Sequence, residues 1–145
     1  MKWVLAVDTA ATSGWCITDS NGKYFTSGEC NAFTADVSDA CRLVLSHDPK
    51  AQLMLEKPSH GNRSQLVGMG AARGAWLAAW GQAGGKKAKD VFPATWRSEL
   101  FGDTAKNPTR ERLTAQIFSK KENVGPDEAA AVSIALWAAR KAVKK

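Results

Sequence analysis

The stretch that decides the fold is WVLAVD, residues 3–8, in which five apolar residues run into a carboxylate. A continuous apolar run of this length is typical of a strand that is buried on both faces of a sheet. A second short run follows at residues 14–18, and an Asn-Gly pair at 21–22 supplies the positive φ of a tight turn. A third strand is predicted at 23–28. Three strands joined by short turns predict an antiparallel meander.

The rest of the chain alternates between helical and strand patterns. Apolar residues recur at helical spacing after Thr34, which can cap a helix that ends at about His47. A buried strand at 52–55 ends at Glu56. The elements predicted after it are, in chain order, a loop at 57–63, a helix at 64–82, a strand at 89–92, and helices at 93–100, 109–120 and 126–144. This order predicts an α/β protein with a five-stranded mixed sheet flanked by helices, in which the first three strands are antiparallel.

Length, composition and charge exclude several classes of protein. The 145 residues match the usual size of one domain, so residues 1–145 are expected to form a single domain. A hydrophobic share of 44% with 23% charged residues excludes wholesale disorder. No apolar run approaches the roughly 18 residues that span a bilayer, so no membrane partner is expected. Twenty Lys and Arg against fourteen Asp and Glu favour an anionic partner, nucleic acid first.

Four carboxylates lie at positions that suggest a special role: two end apolar strands, and two lie at the start of a predicted helix. Asp8 and Glu56 end two apolar strands, where a carboxylate must be paired or bound to a cation. Asp127 and Glu128 lie in the first turn of the last predicted helix. Adjacent strands would aim Asp8 and Glu56 at one point, and the helix could bring a third acid to it. Hard oxygen ligands without His or Cys select Mg²⁺ or Mn²⁺ over zinc, so the set predicts a metal-dependent phosphodiesterase.

Three of these acids also have ordinary structural explanations. Asp127 and Glu128 could simply complement the macrodipole of the last helix. Glu56 could form a surface ion pair with Lys57, which would stabilise the fold only slightly. Asp8 has no basic residue near it in the sequence and is harder to explain in this way.

Five motifs follow one another along nearly the whole chain. They are Val7-Asp8-Thr9 with Ser13-Gly14-Trp15; Leu55-Glu56-Lys57; Gly70-Ala71-Ala72-Arg73-Gly74; Phe92-Pro93 with Trp96-Arg97, Gly102 and Lys106; and Pro126-Asp127-Glu128-Ala129-Ala130-Ala131-Val132 with Ser133-Ile134-Ala135. Each motif alone is common, but the ordered set resembles the RuvC Holliday-junction resolvases, within the ribonuclease H-like superfamily. The resemblance implies the ribonuclease H-like fold and a structure-selective endonuclease that cleaves Holliday junctions and other branched DNA.

The resemblance also implies a mechanism. Two Mg²⁺ ions, replaceable by Mn²⁺ and about 3.5–4 Å apart, would clamp the scissile phosphate. Asp8 would bridge both ions, and Glu56 and Asp127 would hold one each. Lys106 could neutralise charge on the phosphate, or it could be a solvated loop lysine. Such an enzyme would work in the cytoplasm of a bacterium or phage-infected cell, or in an organellar equivalent, and three cysteines without a C-x-x-C spacing agree with a reduced compartment.

One departure from the family pattern concerns the last helix. The family helix carries a second acid three residues after the first, whereas this chain has Ala130 at that position. Glu128 is the nearest substitute, about 100° around the helix from Asp127. The predicted catalytic and metal-binding set is therefore Asp8, Glu56 and Asp127, with Glu128 as the substitute fourth acid. The same departure keeps open a relative that binds branched DNA without cutting it.

Basic side chains on the predicted loops and helices are candidates for contacts with the DNA backbone. They are Lys57, His60, Arg63, Arg73, Arg97, Arg110 and Arg112. Arg73 interrupts a small, apolar helix and could instead form a salt bridge within the fold. The loop at 57–63 follows Glu56 directly, so it is the candidate for sensing the branch point.

A homodimer is expected, because a resolvase must cut two strands placed symmetrically about a branch point. The helix at 64–82 is the expected contact, since Trp76, Trp80 and a run of small residues suit close packing.

Two further functions remain open. A ribonuclease H-type nuclease acting on RNA–DNA hybrids would need the same acids. The Asp8 to Gly14 segment also resembles the phosphate loop of actin-like ATPases, which need two such subdomains where 145 residues supply one.

Overall fold

The computed structural model describes residues 1–57 and 61–143, which form five strands and five helices. In chain order they are β1 (Val4–Asp8), β2 (Thr12–Thr18), β3 (Tyr24–Asn31), α1 (Ala35–His47), β4 (Gln52–Glu56), α2 (Arg63–Gln82), β5 (Lys89–Val91), α3 (Pro93–Phe101), α4 (Pro108–Ser119) and α5 (Pro126–Val143). The strands form one sheet in the order β3-β2-β1-β4-β5. β1, β2 and β3 pair antiparallel, whereas β4 pairs parallel with β1 and β5. The predicted five-stranded mixed sheet is therefore confirmed.

β1 lies at the centre of the sheet and is buried on both faces. Its side chains alternate between the faces, so Leu5 and Val7 join a first core under α1 and α2. Val4 and Ala6 join a second core under α3, α4 and α5. All four side chains are at most 3% exposed, which explains why the strand is a continuous apolar run. Asp8 continues the Val4 and Ala6 series and so faces the α5 side.

Across the described residues, none of the helices combines the length and the apolarity that crossing a bilayer requires.

The first turns of α1 and α2 are capped differently. Thr34 occupies the N-cap position of α1 as expected, but its side chain makes no capping hydrogen bond; its Oγ1 donates to the Asn31 carbonyl at 2.8 Å. Asn62 and Gln65 form a reciprocal capping box at the start of α2, with both bonds at 2.9 Å. The helix therefore begins one residue earlier than predicted, at Arg63.

The two halves of α2 have different surroundings. Trp76 and Trp80 are at most 2% exposed and pack in the first core, so the expectation that they face a second copy is wrong. In the N-terminal half, Leu66 and Val67 are 41% and 67% exposed. A Cβ built on any of three glycines of this helix, Gly68, Gly70 and Gly74, meets nothing within 4 Å. These three glycines therefore do not pack against a neighbour within the described chain, whereas Ala72 between them is buried in the first core.

A glycine lets α5 approach the sheet. Gly14 pairs with Asp8 on one side and with Glu29 on the other, and the backbone of Asp127 lies directly over it. A Cβ at Gly14 would lie 1.8 Å from the Asp127 carbonyl oxygen and 2.5 Å from the Glu128 nitrogen. Both atoms belong to backbone, so a larger residue requires the whole helix terminus to move.

Replacing Gly14 with Ala should therefore lower the free energy of unfolding by at least about 2 kcal/mol, because the helix terminus must lift from the sheet. Urea denaturation followed by circular dichroism measures the change. Gly81→Ala is the matched control, since its Cβ would meet nothing within 4 Å; it should leave stability unchanged or raise it by up to about 1 kcal/mol. Equal stabilities of the two variants would contradict the packing described.

Candidate metal centre

Three of the predicted acids meet at one edge of the sheet. β1 and β4 are parallel neighbours with Val7 opposite Leu55, so the next residues, Asp8 and Glu56, emerge side by side. The first turn of α5 brings Asp127 over the end of β1. The Asp8 carboxyl lies close enough to those of Glu56 and Asp127 for both of them to raise its pKa. Asp8 is therefore the central member of the group.

Burial and repulsion set the electrostatics of this group. Burial first, and then repulsion from Glu56 and Asp127, raises the pKa of Asp8 well above its ordinary value. None of the ion pairs found in residues 1–57 and 61–143 involves Asp8, Glu56 or Asp127. The group therefore concentrates negative charge without a basic partner among the described side chains, which is costly for a metal-free protein.

A neutral donor holds Glu56. The indole Nε1 of Trp96, on α3, donates to Glu56 Oε2 at 2.6 Å. Trp96 is fully buried in the second core, so its ring is fixed and orients the carboxylate. The sequence motif contains Trp96, but nothing in the sequence assigns it this contact.

A further carboxyl, Glu111 on α4, is near enough to Glu56 to be repelled by its charge. Its side chain is 5% exposed, and the Arg97 Nε lies 3.8 Å from its Oε2. Burial raises the pKa of Glu111, and repulsion by Glu56 raises it further. The positive charges of Arg97 and Lys106 lower the same pKa and partly offset the increase. Lys106 itself is exposed in the loop before α4, so its positive charge acts on the Glu56 side of the group.

Glu29, near the C-terminal end of β3, also joins the group, although no sequence pattern predicted it. The Asp127 backbone N–H donates to Glu29 Oε2 at 3.2 Å. Burial first, and then the hydrogen bond and repulsion from the Asp127 carboxyl, raises the pKa of Glu29. The pairing of Glu29 with Gly14 across the sheet is the signal that could have revealed it, but this register is not visible in the sequence.

The structure does not bring Glu128 into the Asp8 group. Its Oε2 accepts from Ser27 Oγ and from Lys121 Nζ, both at 2.5 Å. Ser27 pairs with Cys16 in the sheet, two residues further along the strands than the row of Asp8 and Gly14. Glu128 is 5% exposed, so this geometry makes it a buried partner of Lys121. Ala130 is buried as well, at 6% exposure.

Three of the candidate DNA-binding arginines form ion pairs within the chain. The pairs are Arg73 with Asp90, Arg97 with Glu111, and Arg110 with Asp103. The Arg110 guanidinium donates twice to Asp103, at 2.9 and 3.0 Å, and lies 4.3 Å from the centroid of the Phe101 ring. These pairs tie α2 to β5, α3 to α4, and the loop before α4 to that helix.

The other candidate DNA contacts are exposed or lie outside the described residues. Lys57 is exposed next to Glu56, and its Nζ lies 5.7 Å from the centroid of the Phe92 ring. Arg63 and Arg112 are exposed at the start of α2 and on α4. His60 lies outside the described residues, as do the two residues before it in the predicted branch-sensing loop.

The donor set fits a divalent cation. Within residues 1–57 and 61–143, no three His, Cys, Asp or Glu side chains are already arranged as a metal cage; the carboxyls instead contact each other. Carboxylate oxygens are the ligands that Mg²⁺ and Mn²⁺ prefer, and a cation would offset the charge that Asp8, Glu56 and Asp127 accumulate. The chemistry of these residues therefore suits the predicted metal.

The raised pKa of Asp8 makes the stability of the metal-free protein depend on pH. The folded state holds this proton more tightly than the unfolded chain, so the stability from protonated Asp8 is present below the unfolded pKa. That stability is lost as pH rises through the folded pKa. Asp8→Asn cannot ionise, so its Tm in EDTA should exceed that of the wild type by about 2–4 °C at pH 8, and the difference should shrink toward pH 4.

Thermal denaturation between pH 4 and pH 8 measures this difference. A variant no more stable than the wild type at pH 8 would show that Asp8 carries no repulsive charge in the folded protein.

Comparison with known proteins identifies the fold. No protein-family model matches the chain, and no curated protein matches it by sequence. The structure of Thermus thermophilus RuvC superposes with a TM-score of 0.73 at 17% sequence identity, covering 98% of this chain and 96% of that chain. T. thermophilus RuvC in complex with Holliday junction substrate superposes with a TM-score of 0.75 at 16% identity, covering 100% of this chain and 98% of that chain. The chain therefore has a RuvC-like fold of the ribonuclease H-like class.

Proposed function

We propose that the protein is a metal-dependent, structure-selective endonuclease that cleaves Holliday junctions and other branched DNA. The observation that carries this proposal is the convergence of Asp8, Glu56 and Asp127 at one sheet edge of a RuvC-like fold. One of the similar structures is a RuvC bound to a Holliday junction substrate. The net charge of +6 agrees with a polyanionic substrate.

The chain's own residues divide the work of the proposed site. Asp8 contacts both neighbouring acids and is placed to bind at the centre, with Glu56 and Asp127 on either side of it. Trp96 fixes the direction of the Glu56 carboxylate. Two Mg²⁺ ions held by these carboxylates would supply an activated water and charge stabilisation for the leaving oxygen. Lys106 would add positive charge near the phosphate on the Glu56 side.

Selectivity would come from the shape of the DNA. The described residues include no zinc finger, helix-turn-helix or other groove-reading module. The exposed basic residues Lys57, Arg63 and Arg112 would contact phosphates, so affinity should fall steeply with salt. Arg73, Arg97 and Arg110 would support these surfaces through their ion pairs within the chain.

A panel of equal-length substrates in Mg²⁺ tests the activity: a four-way junction, a three-way branch, a flap, a linear duplex and an RNA–DNA hybrid. The four-way junction should be cut fastest. Asp8→Asn and Glu56→Gln should each reduce cleavage by about 100-fold or more while junction binding persists, because the metal ligands are lost but the basic surface is not. Glu99→Gln is the control, since Glu99 lies on α3 and bonds Trp137 at the far end of α5.

Two results would contradict this proposal. Faster cleavage of the hybrid would identify a ribonuclease H-type enzyme. Binding of the junction without cleavage by the wild type would identify a non-catalytic branched-DNA-binding protein.

The proposed enzyme would act as a homodimer through the N-terminal half of α2. Leu66 and Val67 expose apolar surface there, and the uncovered glycines of the same half leave the backbone open to close approach. A two-fold dimer would present two equivalent sites to the two strands of a junction.

Sedimentation at micromolar concentration tests the dimer. Val67→Glu should yield monomers, because it places a charge in the apolar contact. Ile117→Glu is the matched control, since Ile117 is 79% exposed on α4; this variant should remain dimeric. A monomeric wild type, or a dimer unaffected by Val67→Glu, would contradict the assignment of α2.

A further inference from the structure

Glu29 lies in the same row of the sheet as Asp8. The row runs from Glu29 on β3 through Gly14 on β2 to Asp8 on β1, and Glu56 follows on β4. Directly paired residues of neighbouring strands project from the same face. Glu29 and Asp8 therefore both face α5, separated only by a residue without a side chain.

The first turn of α5 fills the gap above Gly14 and connects the two acids. The Asp127 N–H donates to Glu29 Oε2 at 3.2 Å, and the Asp127 carboxyl lies close enough to those of Glu29 and Asp8 to raise the pKa of each. A second glycine makes room for Glu29, because a Cβ at Gly125 would lie 1.7 Å from its Oε1. The carboxyls therefore form a continuous chain in the order Glu56, Asp8, Asp127, Glu29.

The position expected to supply the fourth acid does not supply one. Ala130 lies one helical turn after Asp127 and is buried. Glu128, the other acid of this turn, bonds Ser27 and Lys121. Among the described residues, Glu29 is then the acid other than Asp8 that contacts Asp127.

We propose that Glu29 is the fourth carboxylate of the metal centre, acting on the Asp127 side in place of the acid absent at position 130. This inference rests on the proposed function, because it assigns Glu29 to the same divalent-cation site. The ligand supplied from the helix in the family pattern is here supplied from an edge strand. Glu29 would bind the cation held by Asp127, and its backbone contact with the helix would keep the two carboxylates together.

A second role for Glu29 makes a different prediction. In this second role, Glu29 is a helix cap and nothing more: its carboxylate accepts an N–H from the first turn of the helix and binds no cation. Glutamine keeps the carbonyl acceptor that such a cap needs, whereas it removes the negative charge that a cation needs. Glu29→Gln therefore separates the two roles.

The experiment is a titration of Mn²⁺ into the DNA-free protein, with unbound Mn²⁺ measured by electron paramagnetic resonance. Wild type, Glu29→Gln, Asp8→Asn and Glu99→Gln are compared, and urea denaturation in EDTA verifies that each is folded. Glu29→Gln should raise the Mn²⁺ dissociation constant by at least about 10-fold, Asp8→Asn should weaken binding at least as much, and Glu99→Gln should leave it unchanged.

The other outcomes overturn specific statements. Loss of Mn²⁺ binding in Asp8→Asn with wild-type binding in Glu29→Gln would leave the metal centre in place and reduce Glu29 to a cap. Wild-type binding in both variants would overturn the metal centre and the role of Glu29 together.

Discussion

The first turn of α5 rests directly on the backbone of Gly14, and the approach of Asp127 to the acids of the sheet depends on this contact. A Cβ at Gly14 would lie 1.8 Å from the Asp127 carbonyl oxygen, so a larger residue would push the helix away. Because the helix sits this close to the sheet, Asp127 reaches Asp8 on one side and Glu29 on the other. The parallel pairing of β1 and β4 then adds Glu56 to the same edge.

The acids are oriented by neutral donors rather than by counter-ions. The Trp96 indole fixes Glu56 at 2.6 Å, and a backbone N–H of α5 reaches Glu29 at 3.2 Å. Neither donor cancels the negative charge, so repulsion between the acids persists in the metal-free fold. In contrast, Lys121 neutralises Glu128, which is buried on the face of the sheet that carries the second core. The fold therefore separates a paired, structural carboxylate from a group whose charge a divalent cation would offset.

Sequence patterns were sufficient where local periodicity decides the structure. The apolar runs that end in Asp8 and Glu56 identified both strands and both acids, and the helices lie close to their predicted bounds. Sequence patterns failed to predict features that are determined by contacts between residues distant in sequence. β3 was predicted to end at residue 28, but pairing with β2 extends it to Asn31, and Glu29 was missed for that reason. Trp76 shows the same limit, because periodicity marks an apolar helix face without saying what covers it.

A crystal structure of the wild-type protein soaked in Mn²⁺, with maps calculated from the anomalous signal, would show directly whether these acids bind a divalent cation. Anomalous density is expected within about 2.5 Å of carboxylate oxygens of Asp8, Glu56 and Asp127. The acids should also turn from each other toward the ion. Saturating Mn²⁺ with no density at this edge, and with the carboxyls still turned toward one another, would contradict a metal centre at Asp8, Glu56 and Asp127.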